Sequence, residues 1–130
     1  MHQKPPSLDD ITALADQALA AIPARFTERA RPLSIHVEDM ADDETLDDLG
    51  IESGYDLTGL YRGTPLNEQS SGDIPRVPDM VVLFREAILL EWIDTGEDLA
   101  ALVRNVLVHE VAHHFGFTDA DIEALENAPD

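Results

Sequence analysis

His109, Glu110, His113, Gly116 and Asp119 fall in the order H-E-x-x-H-x-x-G-x-x-D near the end of the chain. On a helix, residues four apart sit one above the other with β-carbons about 5 to 6 Å apart, so His109 and His113 can aim two imidazoles at one metal ion. Glu110 lies beside that seam. Its carboxylate can reach a water on the metal rather than the metal itself, which is the general-base position of metal-assisted hydrolysis. Gly116, free to enter the left-handed conformation, can close the last turn and reverse the chain. Three residues on, Asp119 can return a carboxylate as third ligand and leave a fourth tetrahedral position open, the arrangement of catalytic rather than structural zinc.

The element that must carry these residues is legible upstream. Leu99, Leu102, Val103, Val106 and Leu107 recur at three- and four-residue steps, the mark of an amphipathic helix with one buried stripe. His109 and His113 continue the steps 102, 106, 109, 113 and so take positions where the pattern asks for core residues. Buried imidazole nitrogens without partners are costly, and one zinc ion would satisfy both. Asp119 has a second reading. Thr118-Asp119-Ala120-Asp121 before Ile122 and Leu125 also resembles a capped helix start, where acidic residues favour the positive end of the macrodipole. Asp121, Glu123 and His114 are the fallback ligands; His114, one position off the seam, fits a supporting or helix-end role better.

Beyond the motif, the run His109-Glu110-Val111-Ala112-His113-His114-Phe115-Gly116-Phe117-Thr118-Asp119 and the helix before it resemble the small bacterial zincin-like metallopeptidases, or minimal zincins. Leu46 to Ile51, Leu57 to Leu66 and Pro78 to Arg85 are similar to that family as well, so the resemblance spans roughly residues 8 to 127. It implies an α+β zincin-like domain: a short mixed or antiparallel sheet of three to four strands packed on an N-terminal helix and the motif helix. It supplies no substrate. The chain departs from the larger metzincins in one respect: eleven residues follow Asp119 in this sequence and none is methionine, so a Met-turn beneath the metal is not expected.

Composition sets outer bounds. At 130 residues the expectation is one domain, 1–130, with residues 1–6 as a flexible N-terminus. There are no cysteines, which excludes disulfides and thiolate ligands and leaves nitrogen and oxygen to hold a metal. No signal-peptide core and no run of 18 apolar residues is present, so a cytoplasmic location is the default expectation. With 27 acidic against 8 basic residues the formal net charge is −19, which disfavours nucleic acid and anionic membranes as partners. The densest acidic run, Glu38 to Leu49, lacks calcium-loop spacing. It reads as a solvated face on a short helix whose buried edge is Leu46 and Leu49.

The remaining chain divides as follows. Ser7 with Asp10 opens a helix through about Ile22, with Leu8, Ile11, Leu14, Ala15, Ala18, Leu19 and Ile22 inward and Pro23 as its stop. Leu33 to Asp39 alternates as a strand, Ile35 and Val37 one way and Ser34, His36 and Glu38 the other, which places His36 toward solvent. Leu57 to Arg62 reads as a second strand. Met80 to Phe84 is a continuous apolar run, a strand buried on both faces. Ala87 to Ile93 fits a short helix. The connection from Gly63 to Asp79 holds three prolines and Gly72 and is the candidate flap beside a cleft.

Three functions remain open on the residues alone. One is a zinc-dependent metallopeptidase acting on a peptide or unfolded protein segment through a metal-activated water. Another is a zincin-like zinc-binding protein without robust peptidase activity, serving as a regulatory or interaction module. The third is an acidic interaction domain with vestigial ligands, which the intact Glu110 argues against. Tyr61, Tyr55, Arg85 and His114 are chemically able to stabilise an oxyanion, with His114 and Tyr61 the first candidates for a supporting or oxyanion role. The oligomeric state is not legible, and a monomer fits.

Overall fold

The computed structural model describes residues 4–22, 33–62 and 79–114. Their order is α1 (Leu8–Ala20), β1 (Ser34–Glu38), α2 (Asp43–Leu49), a single 3-10 turn (Gly54–Asp56), β2 (Gly59–Arg62), β3 (Met80–Phe84), α3 (Arg85–Thr95) and α4 (Leu99–His114). This is the expected small α+β architecture, with the sheet resolved as mixed.

β3 is the central strand because it alone is apolar on both faces. It pairs in parallel with β1, Ile35 opposite Val81, and antiparallel with β2, Gly59 opposite Leu83. Val81 and Leu83 join Ile11, Ala15, Ala18, Ile88, Leu102, Val103, Leu107 and Val111 in the main core, beneath α1 and α4. Val82 and Phe84 point the other way, into a smaller core with Ala41, Leu46 and Ala87. Alternation in a strand sends neighbouring side chains to opposite faces, so five residues serve two cores. In β1 the outer residues alternate as expected, with Ser34, His36 and Glu38 exposed; His36 shares a hydrogen bond with Ser34 at 3.2 Å.

Capping places the helix starts. Ser7 Oγ accepts from the Asp10 amide at 3.1 Å while Asp10 Oδ2 accepts from the Ser7 amide at 2.9 Å, a reciprocal box that satisfies two otherwise orphaned donors. Asp42 caps α2 by accepting from the Thr45 amide at 2.8 Å. Asp98 does the same for α4 through the Ala101 amide at 3.0 Å. α3 begins directly where β3 ends and stops at Gly96, whose φ of 70° is left-handed and lets the chain turn into the motif helix. At the N-terminal end, the Pro6 carbonyl accepts from Arg85 Nε at 2.6 Å, which ties the approach to α1 onto the start of α3.

Several sequence expectations need correction. Leu49 is 45% exposed, so Leu46 alone forms the buried edge of α2. The helix is short and ends at the left-handed Gly50, immediately after Leu49. Leu8 is also exposed, at the first position of α1. β2 begins at Gly59 rather than Leu57, because the 3-10 turn ends at Asp56 and Leu57 serves as its cap. α3 is longer than Ala87 to Ile93 by two residues at each end. The proposed flap falls on residues 63–78, outside the described residues; its last residue, Asp79, is 4% exposed beside the start of β3.

Candidate metal centre

α4 presents two faces at its C-terminal half. The deepest line runs Val103, Leu107 and Val111, all nearly or fully buried against α1 and β3. The sequence steps 102, 106, 109 and 113 put His109 and His113 on that core stripe, but they stand on its shoulder. Both are half-buried, and the His113 side chain is 41% exposed. The difference has a physical reason. Steps of four from Val103 keep the apolar line centred on the sheet, while the histidine seam rotates toward the margin, where a solute can reach it.

The seam brings three side chains together. The His109 and His113 rings lie 4.7 Å apart between centroids at an interplanar angle of 60°. His113 Nδ1 stands 3.6 Å from Glu110 Oε1. One donor atom from each of His109, Glu110 and His113 lies within 4.8 Å of the others. Bonds of about 2.0–2.1 Å in a tetrahedral site would set such atoms roughly 3.3 Å apart, a gap that small side-chain rotations close. Two imidazoles and a carboxylate therefore fit a divalent cation of borderline softness. The sequence pattern assigns the third ligand to Asp119 and keeps Glu110 as base. Asp119, with Gly116, Asp121 and Glu123, lies outside the described residues. His114 is the last residue of α4, and its side chain too lies outside them.

Glu110 is far more enclosed than His113, its side chain 12% exposed. Burial raises its carboxyl above the usual carboxylate range; the charges of His113 and His109 and a hydrogen bond from the Tyr61 backbone amide pull in the other direction without cancelling it. That amide is available for a topological reason. Phe84 N donates to Thr58 O at 2.9 Å, which makes residues 58 and 84 a hydrogen-bonded pair of the antiparallel ladder. Leu60 and Arg62 then bond inward to β3, while Gly59 and Tyr61 turn their backbone groups to the other side of β2, its outer edge among the described residues. The motif turn of α4 lies beside that edge.

The other sequence candidates are placed as follows. The Tyr61 hydroxyl donates to buried Asp79 at 3.3 Å, and its ring packs on the main core. Arg85 is engaged by Pro6 and by Asp39 at 3.3 Å. Tyr55 sits exposed on the 3-10 turn.

A family model described as zincin-like metallopeptidase matches residues 30–128, which takes in β1 through the complete motif. The chain belongs to this family. No curated protein matches it. α1 precedes the matched span, yet Ile11, Ala15 and Ala18 supply part of the core on which the zincin motif helix rests.

The sequence reading overlooked Gly59. A Cβ there would stand 2.8 Å from Val106 Cγ1 and 3.2 Å from Glu110 Cγ, so strand and motif helix touch at a point with no room for a side chain. A glycine inside a strand pattern is a sign of such close approach, and Thr58-Gly59-Leu60 carried it. The Tyr61 amide had no comparable signal, since its partner depends on how β2 docks against α4.

Proposed function

We propose that this zincin-like protein is a zinc-dependent peptidase that hydrolyses peptide bonds in extended or unfolded segments. The observation that carries the reading is the convergence of His109, His113 and a desolvated Glu110 beside the outer edge of a strand. His109 and His113 would hold the ion, with Asp119 proposed as the third ligand. Bound there, zinc would supply Lewis acidity, making a water more acidic and a carbonyl more electrophilic.

The remaining chemistry belongs to the chain. Glu110 accepts the proton of the attacking water on a carboxylate oxygen and delivers it to the leaving nitrogen. Enclosure of that carboxylate, its side chain 12% exposed, limits competing water around the proton it carries. The hydrogen bond from the Tyr61 amide keeps the carboxylate pointed while proton transfer occurs. An extended peptide would lie along β2 beside Gly59, whose backbone groups point away from β3, which would orient the scissile bond along the motif turn. With a net charge of −19, neutral or basic segments are favoured over acidic ones, and salt weakens the preference.

A peptide-library digest with zinc-loaded protein, run beside Glu110→Gln, tests this. Cleavage by the parent and not by the variant supports the reading; equal cleavage by both removes Glu110 as base. No cleavage by either turns the reading to a zinc-binding module without peptidase activity.

A further inference from the structure

Gly59 is buried, and its neighbours leave it no slack. Its hypothetical Cβ meets Val106 Cγ1 at 2.8 Å, Glu110 Cγ at 3.2 Å and Leu83 Cδ2 at 3.4 Å. The first distance is one that real β-carbons do not occupy. Val106 cannot swing aside cheaply, because a β-branched side chain in a helix has one strongly preferred χ1 rotamer. A side chain at position 59 must therefore push β2 away from α4, or displace the Glu110 stem that lies next to Val106. Either movement acts on the carboxylate that stands 3.6 Å from His113.

We propose that Gly59 is a positioning residue for Glu110: by admitting β2 to contact distance of α4, it sets where the Glu110 carboxylate stands relative to the strand edge and to His113. The kinetic consequence rests on the peptidase reading above. The structural consequence does not, since the Tyr61 amide, which donates to Glu110, reports the same placement in the resting protein.

The experiment compares Gly59→Ala, Val106→Ala, the double variant Gly59→Ala/Val106→Ala and Val106→Ile with the parent in full-length protein. It reads zinc affinity, kcat and KM on a peptide that the parent cleaves, and the amide resonance of Tyr61, with Glu110→Ala as the reference for a Tyr61 amide that has lost its carboxylate. In Gly59→Ala, kcat should fall about tenfold to a hundredfold, as expected for a catalytic group displaced by up to about 1 Å. KM and zinc affinity should stay within about threefold, and the Tyr61 amide should move toward its Glu110→Ala position. Removing Val106 Cγ1 in the double variant should restore most of kcat and return the amide toward its parental position, an outcome that a general loss of stability would not produce.

Parental kcat and a parental Tyr61 amide in Gly59→Ala would overturn the proposal, as would a loss of kcat that Val106→Ala does not relieve. Should Gly59→Ala not fold, Val106→Ile crowds the same contact from the helix side, and parental behaviour there would equally overturn it. If the parent cleaves nothing while Gly59→Ala still moves the Tyr61 amide, the positioning role is supported and the peptidase reading is the part that fails.

Discussion

Carboxylates at Glu38, Asp39, Asp42, Asp43, Glu44, Asp47 and Asp48 stand exposed around α2, whereas Glu110 lies between α4 and the edge of β2 with 12% of its side chain exposed. The two environments move the same functional group in opposite directions. Asp42 is held below its usual pKa, chiefly by its hydrogen bonds with Thr45 at the N-cap of α2. Glu110 is pushed up by desolvation. Among the described carboxylates, the one pushed upward by burial is thus found away from the dense acidic run, in the half-buried turn of the two histidines. Density of exposed carboxylates marks solvation; burial of one beside two imidazoles marks chemistry.

The sharpest break in that comparison is catalytic. Glu110→Gln keeps shape and hydrogen bonding but cannot accept a proton, so turnover should fall by about 10² to 10⁴-fold while zinc affinity is retained. Paired substitutions in the acidic run should leave turnover at the parental level in the same assay. Next in size, His113→Ala should weaken zinc binding by more than about 10²-fold, the upper range for losing a group that only supports a ligand. Competition against a chelator measures this. The metal-free variant should melt with the parent, because the His113 side chain is 41% exposed and little packing is lost.

Opposite pH dependences sharpen the comparison further. The folded-state pKa of Glu110 is raised from 4.5, so the metal-free native state binds more protons there than the unfolded chain does. Its contribution to stability is lost as pH rises through that window. Metal-free Glu110→Gln should therefore melt above the parent at neutral pH, with the gap closing as pH falls toward the ordinary carboxylate range. Asp42 has the reverse sign. Its folded pKa lies below 3.8, so its stabilisation is present above the unfolded value and is lost as pH falls through the folded one. Asp42→Ala should lower the melting temperature by a few degrees at neutral pH, and the difference should vanish in strong acid. The smallest effect is expected from Asp47→Asn with Asp48→Asn, both exposed, which should change stability by no more than about 0.5 kcal/mol each in denaturant titrations.

Several elements could be read from local pattern because their causes are local. Ser7 and Asp10 form their capping box between residues three apart, and Met80 to Phe84 is apolar at every position because the central strand faces two cores. His109, Glu110 and His113 converge because an α-helix brings positions i and i+4 together whatever surrounds it. The misplaced boundaries have local causes of another kind. Leu57 belongs to a 3-10 turn by hydrogen bonding that its apolar character does not reveal.

The sequence by itself thus determined that two imidazoles and a carboxylate share one helical turn, and that the helix carrying them has an apolar line to bury. Tertiary structure alone decided which way that turn faces. Docking of α4 against α1 and β3 spends the Val103, Leu107 and Val111 line on the core and leaves the histidines at the margin. Docking against β2 brings Gly59 to Val106 and the Tyr61 amide to Glu110. Residues 59 and 110 are far apart in the chain, and the contact between them depends on register and on the absence of one methyl group. A helical period cannot encode either, because it describes how a segment meets itself and not how it meets the strand beside it.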